Sequence, residues 1–206
     1  MVGCLFLLGC KDDPNSFQAK FKAVKDGKSE EFYVTGQREV KDSNVSSLVS
    51  LQDRLKRLKI DLTSITDNCL SDVALLNRLE HLSMCETQIS NQGLEMLCKG
   101  KSLPYLEELV VDSSQVNDAG LIHLKALPRL RYLSLYKCYI TDEGCKTLAE
   151  LPSLERVSLD DTQITDDGVR TLAQSKTLKR IQAWHTKVTD DGVAYIKKKI
   201  PDMQIP

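Results

Sequence analysis

Cysteine and histidine recur along the middle of this chain, and together they could supply a thiol nucleophile and its base. Cys85 follows His81 by four residues, and this pair is the best candidate by residue type. If both lie on one extended strand, their Cα atoms are about 13 Å apart at about 3.3 Å per residue. A nucleophile and its base must lie within hydrogen-bond reach. The pair is therefore predicted not to be catalytic.

Aspartates and the other cysteines could hold a metal ion, but their spacing argues against such a site. Asp61, Asp112 and Asp160 fall on different copies of the repeat described below, too dispersed for one metal shell. The seven cysteines include no CxxC pair, the spacing typical of zinc and redox sites. Reduced thiols packed as small apolar side chains are expected instead. The chain is predicted to be no enzyme, with no metal and no cofactor.

These residues belong to a segment that is repeated six times along the chain. Successive copies begin 24 residues apart, except for one step of 27 residues. The copies start at Leu55, Leu79, Leu106, Leu130, Leu154 and Leu178. Self-similarity at a fixed period in this range is the signature of a solenoid.

One copy, Leu154–Thr177, predicts how each unit folds. Alternating Val157 and Leu159 indicate a short half-buried strand. Ile164 is expected to point inward from the following turn, and Thr165 to cap a helix of about two turns by accepting a backbone N–H. The six corresponding cap residues are Thr66, Ser90, Asn117, Thr141, Thr165 and Thr189.

The Thr-x-Ile-Thr-Asp-x-Gly pattern of residues 162–168 resembles leucine-rich repeats, in a branch abundant in bacteria and related to the cysteine-containing repeats of F-box proteins. The resemblance implies an α/β fold: a right-handed solenoid shaped as a horseshoe arc, with parallel strands on the concave face and short helices on the convex face. Many such repeats carry asparagine or cysteine in the turn, bonded to the neighbouring coil's backbone. Here that bond is predicted for Thr63, Thr87, Ser114, Cys138, Thr162 and Thr186.

Residues 1–10 resemble the end of a bacterial lipoprotein signal, because Leu7-Leu8-Gly9-Cys10 resembles a lipobox after a short apolar run. The resemblance implies a diacylated Cys10 at the mature N-terminus and a place in the cell envelope. The apolar run is too short to span a bilayer, which takes about 20 residues. No basic residue precedes it, and a start upstream of Met1 would account for that. The alternative is an apolar tail with a chance Gly-Cys.

Residues 11–29 are interpreted as a tether and the first strand of a capping hairpin. The apolar residues of 17–34 fit a helix or a strand, and Asp26-Gly27 favours a hairpin with strands near 18–25 and 30–35. The remainder, 30–206, is predicted to be one leucine-rich repeat domain. Its parts are a degenerate N-terminal cap repeat at 30–54, six repeats at 55–199 and a C-terminal cap at 200–206.

The charge balance bears on the kind of partner. The formal net charge is −1 and the pI is about 6.3. Nucleic-acid binding would call for a clear basic excess, so no nucleic-acid partner is expected. A protein partner, a membrane contact through the lipid anchor only, and a monomeric chain are the predictions.

Side chains between the core leucines should face the concave surface, and aromatic and arginine residues concentrate there on three successive strands. Such residues are enriched in binding hot spots. The predicted binding residues are Tyr132, Tyr136, Arg156, Asp160, Arg180 and Trp184. Trp184 has a second interpretation, since in the last full repeat it could instead pack under the C-terminal cap.

The predicted function is a non-catalytic protein-binding module, namely a lipid-anchored bacterial leucine-rich repeat protein that recognises a partner through its concave face. The alternative is an intracellular, cytoplasmic adaptor that selects substrates, resembling the repeats of F-box proteins. Residues 11–54 offer no F-box-like helical segment, being too short and polar. A structural envelope protein without a discrete ligand is a third possibility.

Overall fold

The computed structural model describes residues 13–99 and 103–200, and in them short strands alternate with short helices. Seven parallel strands form one open sheet whose order follows the sequence, which confirms the predicted α/β solenoid. The strands are β1 Glu31–Tyr33, β2 Arg57–Lys59, β3 His81–Ser83, β4 Glu108–Val110, β5 Tyr132–Ser134, β6 Arg156–Ser158 and β7 Arg180–Gln182.

Helices fill the segments between the strands. The α-helices are α1 Phe17–Lys25, α2 Asp42–Ser46, α3 Leu70–Val73, α4 Asn91–Cys98, α5 Asp142–Ala149, α6 Asp166–Leu172 and α7 Asp190–Lys199. Tighter 3-10 segments span Ser47–Leu51, Asp67–Cys69 and Asp118–Ala126. Within 13–99 and 103–200, every helix falls short of the length and apolar character that a membrane crossing needs.

Equivalent residues of successive repeats stand side by side in the core. The register pairs Leu133 with Val157 and Val157 with Ile181, so their side chains form one continuous row. All three are fully buried, and so are Leu159 and Ile164, as the repeat pattern predicts. Each unit therefore buries its apolar face on its neighbours rather than on a separate core.

The helix cap of each repeat also bonds to the repeat before it. Thr165 Oγ1 accepts the Asp167 N–H at 3.2 Å, as predicted for a cap. The Thr165 N–H and hydroxyl then donate to the two carboxylate oxygens of Asp142, both at 2.7 Å. We call this cross-repeat contact the cap link. It recurs in the pairs Asp42–Thr66, Asp67–Ser90, Asp118–Thr141, Asp142–Thr165 and Asp166–Thr189. In the remaining pair Asn91 replaces the aspartate: its Oδ1 accepts the Asn117 N–H, and its Nδ2 donates to Asn117 Oδ1.

The glycine of the Asp-x-Gly motif makes room for the cap link. A Cβ added to Gly168 would lie 2.3 Å from Asp142 Oδ1, a distance that real Cβ atoms do not reach. The requirement is one of space, because the preceding repeat's carboxylate occupies the position of the missing side chain. The corresponding glycines beside a carboxylate are Gly93, Gly144, Gly168 and Gly192, and Gly120 lies beside the Asn91 amide.

Four of the six turn residues after the strands differ from their prediction. Thr162 Oγ1 donates to the Leu159 carbonyl of its own repeat at 2.6 Å, rather than to the neighbouring coil. The same local bond forms at Thr63, Thr87 and Thr186. Asp161, just before Thr162, has a φ of 55°, and this left-handed bend places the carbonyl three residues back near the short hydroxyl. Cys138 does bond the neighbouring coil, at the Val111 carbonyl, 3.3 Å away.

The predicted first hairpin strand near 18–25 is wrong, because this segment is helix α1. Ser16 Oγ accepts the Ala19 N–H to begin the helix, and Gly27 with a φ of 72° follows its end. The Phe17 ring packs edge-on against Phe32 of β1, with centroids 4.8 Å apart. This contact between distant segments stabilises the helix, although Asp26-Gly27 is a local signal for a hairpin. The predicted second strand is β1, which pairs with β2 as expected.

Three predicted features lie wholly or partly outside the described residues. The signal segment with Cys10 falls in 1–12, and the three-residue insertion of the second repeat overlaps 100–102. The C-terminal cap falls in 201–206, apart from Ile200. These features stay predictions.

The cap link predicts a measurable coupling between Asp142 and Gly168. Gly168→Ala should cost about 1–3 kcal/mol of unfolding free energy by overpacking. In an Asp142→Ala background the added methyl has room, so the cost should fall by about 1 kcal/mol or more. Urea unfolding of the two single variants and the double variant measures this coupling.

Gly93→Ala is the matched control, because Gly93 faces Asp67 and not Asp142. Its cost should add to that of Asp142→Ala without coupling. Equal coupling for both glycines, or none for Gly168, would contradict the steric account.

Candidate binding surface

The concave face, defined here as the solvent side of the seven-stranded sheet, displays the predicted binding residues in register. Tyr132, Arg156 and Arg180 stand side by side on β5, β6 and β7. Arg156 and Arg180 are exposed and Tyr132 is half-buried. Three of the six predicted residues thus form one row across adjacent strands.

Arg156 is held in place by two neighbours. Its guanidinium carbon lies 4.8 Å from the centre of the Tyr132 ring, a cation–π distance. Its Nη2 donates to Glu108 Oε1 at 3.2 Å, and Glu108 Oε2 lies 2.8 Å from His81 Nδ1. The charged row from β3 to β6 is therefore a connected network rather than a set of independent side chains.

Asp160 bonds the backbone next to Trp184. Asp160 Oδ1 accepts the Trp184 N–H at 2.6 Å. The same bond joins Asp112 to the Tyr136 N–H at 2.9 Å and Asp61 to the Cys85 N–H at 2.9 Å. These aspartates link one repeat to the next through the backbone. Residues that could have been metal ligands by type are thus structural acceptors.

Trp184 exposes its side chain while its backbone is fixed. The residue is 55% exposed, and the Asp160 bond holds its N–H. Tyr136 is half-buried, and its ring lies 5.0 Å from Lys137 Nζ. Tyr136 and Trp184 belong to repeats two strands apart, about 10 Å at the spacing of a sheet. The predicted residues therefore line one face without all touching one another.

The described cysteines are protonated free thiols rather than nucleophiles. Burial raises the pKa of Cys85 to about 11, and the Sγ lies 3.9 Å from an Asp112 oxygen that cannot activate it. Burial raises the pKa of Cys98 and Cys145 to about 12. A reactive cysteine needs a lowered pKa. His81, the candidate base, is bonded to Glu108 instead.

In the described part of the chain, no group of three or more His, Cys, Asp or Glu side chains could hold a metal ion.

The N-terminal half of the concave face carries an aromatic residue that sequence reasoning missed. A depression of about 410 Å³ is lined there by residues including Tyr33, Arg57, His81 and Val110. Tyr33 is 38% exposed. The sequence contained a signal for it, since Tyr33 lies in the predicted strand near 30–35; the structure pairs Tyr33 with Lys59. Treating 30–54 only as a cap hid this residue.

The sequence model of the leucine-rich repeat family matches residues 127–149 and again residues 150–173. These two segments are leucine-rich repeats. They contain β5 and β6, and with them Tyr132 and Arg156. Leucine-rich repeats generally mediate protein–protein binding, and the family is typically non-catalytic. A search of curated proteins found no match to the chain.

Trp184 fluorescence reports whether this surface is open in solution. Trp184 is the single tryptophan of the chain, so its emission needs no separation from others. Because the side chain is exposed, the folded protein should emit red-shifted light and be quenched by iodide, nearly as strongly as the urea-unfolded chain. Two results together would contradict this: a blue-shifted emission that iodide does not quench, and a lower Tm in the Trp184→Ala variant. They would mean that Trp184 packs under the C-terminal cap.

Proposed function

We propose that this chain is a non-catalytic, lipid-anchored bacterial protein of the cell envelope that binds a protein partner through the C-terminal half of the concave face. The contact residues are Tyr132, Tyr136, Arg156, Asp160, Arg180 and Trp184. Trp184 is the anchor, because its large side chain is 55% exposed on a backbone fixed by Asp160. This one observation carries the proposal.

Pre-organisation of the neighbouring arginine supports the same half of the face. The Tyr132 ring and the Glu108 carboxylate already orient Arg156 in the free protein. A side chain ordered before binding loses less conformational entropy when the partner arrives. Its remaining donors present a planar fork that suits a carboxylate or a backbone carbonyl of the partner.

The N-terminal depression is a second candidate location for the same function. Tyr33 provides an exposed aromatic side chain, and His81 and Arg57 line the floor and wall of the 410 Å³ space. The C-terminal half is favoured because Trp184 has the larger exposed surface.

Paired substitutions test the location. A partner is first captured from an envelope extract of the source organism and identified, and its affinity is then measured by titration. Tyr136→Ala with Trp184→Ala should weaken binding by about 2–4 kcal/mol, on the scale of hot-spot losses. The Tm should change little, because neither side chain belongs to the buried core.

Tyr139→Ala is the matched control, since Tyr139 is 61% exposed but lies outside the strand rows. It should leave the affinity unchanged. A loss produced by Tyr33→Ala and not by the Tyr136/Trp184 pair would move the binding site to the N-terminal depression.

Lipid attachment at Cys10 has its own test. Lipid attachment is proposed because Leu7-Leu8-Gly9-Cys10, after an apolar run, resembles a lipobox. A single acyl chain gives only marginal membrane binding, so two chains are what would make the anchor stable. Mass spectrometry of the protein expressed with a complete signal in a bacterium should find an acylated N-terminus at Cys10. Cys10→Ser should be released from the membrane fraction. An unmodified Cys10 behind an intact Met1 in the soluble fraction would refute the anchor.

A further inference from the structure

The edge of the solenoid where each helix returns to the next strand carries a depression of about 560 Å³. We call it the edge pocket. It lies beside the sheet rather than on the concave face, and its lining spans four successive repeats. The lining includes Arg129, Arg131, Ser153, Glu155, Lys176 and Lys179.

The edge pocket is cationic although the chain is not. Its lining contains four basic side chains and two carboxylates, those of Glu107 and Glu155, which leaves a local charge of +2. The formal charge of the whole chain is −1. Positive charge is therefore concentrated at this place, and such a local field attracts anionic groups.

Glu155 neutralises only part of this charge. Both of its carboxylate oxygens lie 3.1 Å from Arg131 Nη2, and Lys179 Nζ is 3.2 Å from Oε1. The hydrogen bond from Arg131 lowers the pKa of the Glu155 carboxyl below its ordinary value, so Glu155 remains ionised at neutral pH. One carboxylate, just before β6, thus pairs with two cations, one just before β5 and one just before β7.

Arg129 and Lys176 are the two basic residues of the edge pocket that do not pair with Glu155. Neither has an ion-pair partner within 4.0 Å among the described residues. Arg129 is held by an aromatic ring instead, since its guanidinium carbon lies 4.9 Å from the centre of the Tyr105 ring. Arg78 approaches the same ring at 5.9 Å. Arg129 is thereby oriented without being neutralised.

The spacing of these two cations selects the ligand. Arg129 precedes β5 and Lys176 precedes β7, so they lie about two strand spacings, roughly 10 Å, apart along the edge. One phosphate would require these two long side chains to converge, although Arg129 is already held on the Tyr105 ring. Two anionic groups on one segment can meet the two cations where they stand. Carboxylates on alternate residues of an extended peptide are about 7 Å apart, and their side-chain length covers the rest.

We propose that the edge pocket binds an acidic peptide segment of a protein partner, with successive carboxylates meeting Arg129 and Lys176. The site is separate from the concave face and shares no residue with it. The proposed binding at the edge pocket can therefore be tested independently of the function proposed above.

Fluorescence anisotropy with a labelled octaglutamate peptide and the full chain tests the site. At about 50 mM NaCl, where exposed charges are weakly screened, the peptide should bind, and binding should weaken as salt rises. Arg129→Gln with Lys176→Gln should weaken it about tenfold or more. Glu155→Gln should strengthen it several-fold, because Arg131 and Lys179 become available.

Lys197→Gln with Lys198→Gln is the matched control, because it makes the same charge change on exposed positions of α7. Its affinity should stay within about twofold of the unchanged chain. Equal weakening by both pairs would mean non-specific attraction and would overturn the site. The site would also be overturned if the peptide did not bind at low salt. The same holds if inorganic phosphate displaced the peptide and chloride of equal ionic strength did not.

Discussion

The carboxylate that accepts two hydrogen bonds from the next repeat's cap residue determines how the units of this solenoid stack. Asp142 receives both the N–H and the hydroxyl of Thr165, and the same hydroxyl caps helix α6. Bonds to an ionised carboxylate are stronger than neutral ones. One threonine thus begins its own helix and fixes its repeat on the previous one. This contact adds to the backbone pairing of the strands, which keeps equivalent residues of the concave face in rows.

A second polar link follows three of the strands, β2, β4 and β6, where Asp61, Asp112 and Asp160 accept a backbone N–H of the next repeat. The strands themselves contribute buried apolar rows such as Leu133, Val157 and Ile181. The concave face is therefore positioned by contacts beneath and beside it. Its exposed side chains are free to vary in chemistry, and for this reason the repeat pattern says much about the fold and little about a ligand.

Features that depend on neighbouring positions in one repeat were predictable from the sequence. The strand, the cap Thr165 and the inward Leu159 and Ile164 follow from local spacing and were confirmed. Features that depend on another repeat were not. The carboxylate partner of the cap, the room made by Gly168 and the edge pocket all need the neighbouring coil in place. Helix α1 was missed for the same reason, because Phe32 stabilises it from a distant segment.

Helix α1 also closes one end of the sheet. Its Phe17 covers Phe32 of β1, and Lys20 Nζ donates to the Tyr33 carbonyl. Open strand edges are templates for pairing with other chains. A stack of like units with an uncovered end would add a second molecule head-to-tail, and such contacts do not close on themselves but grow into fibres. Helix α1, packed against β1, stands in the way of such head-to-tail addition at that end of the sheet.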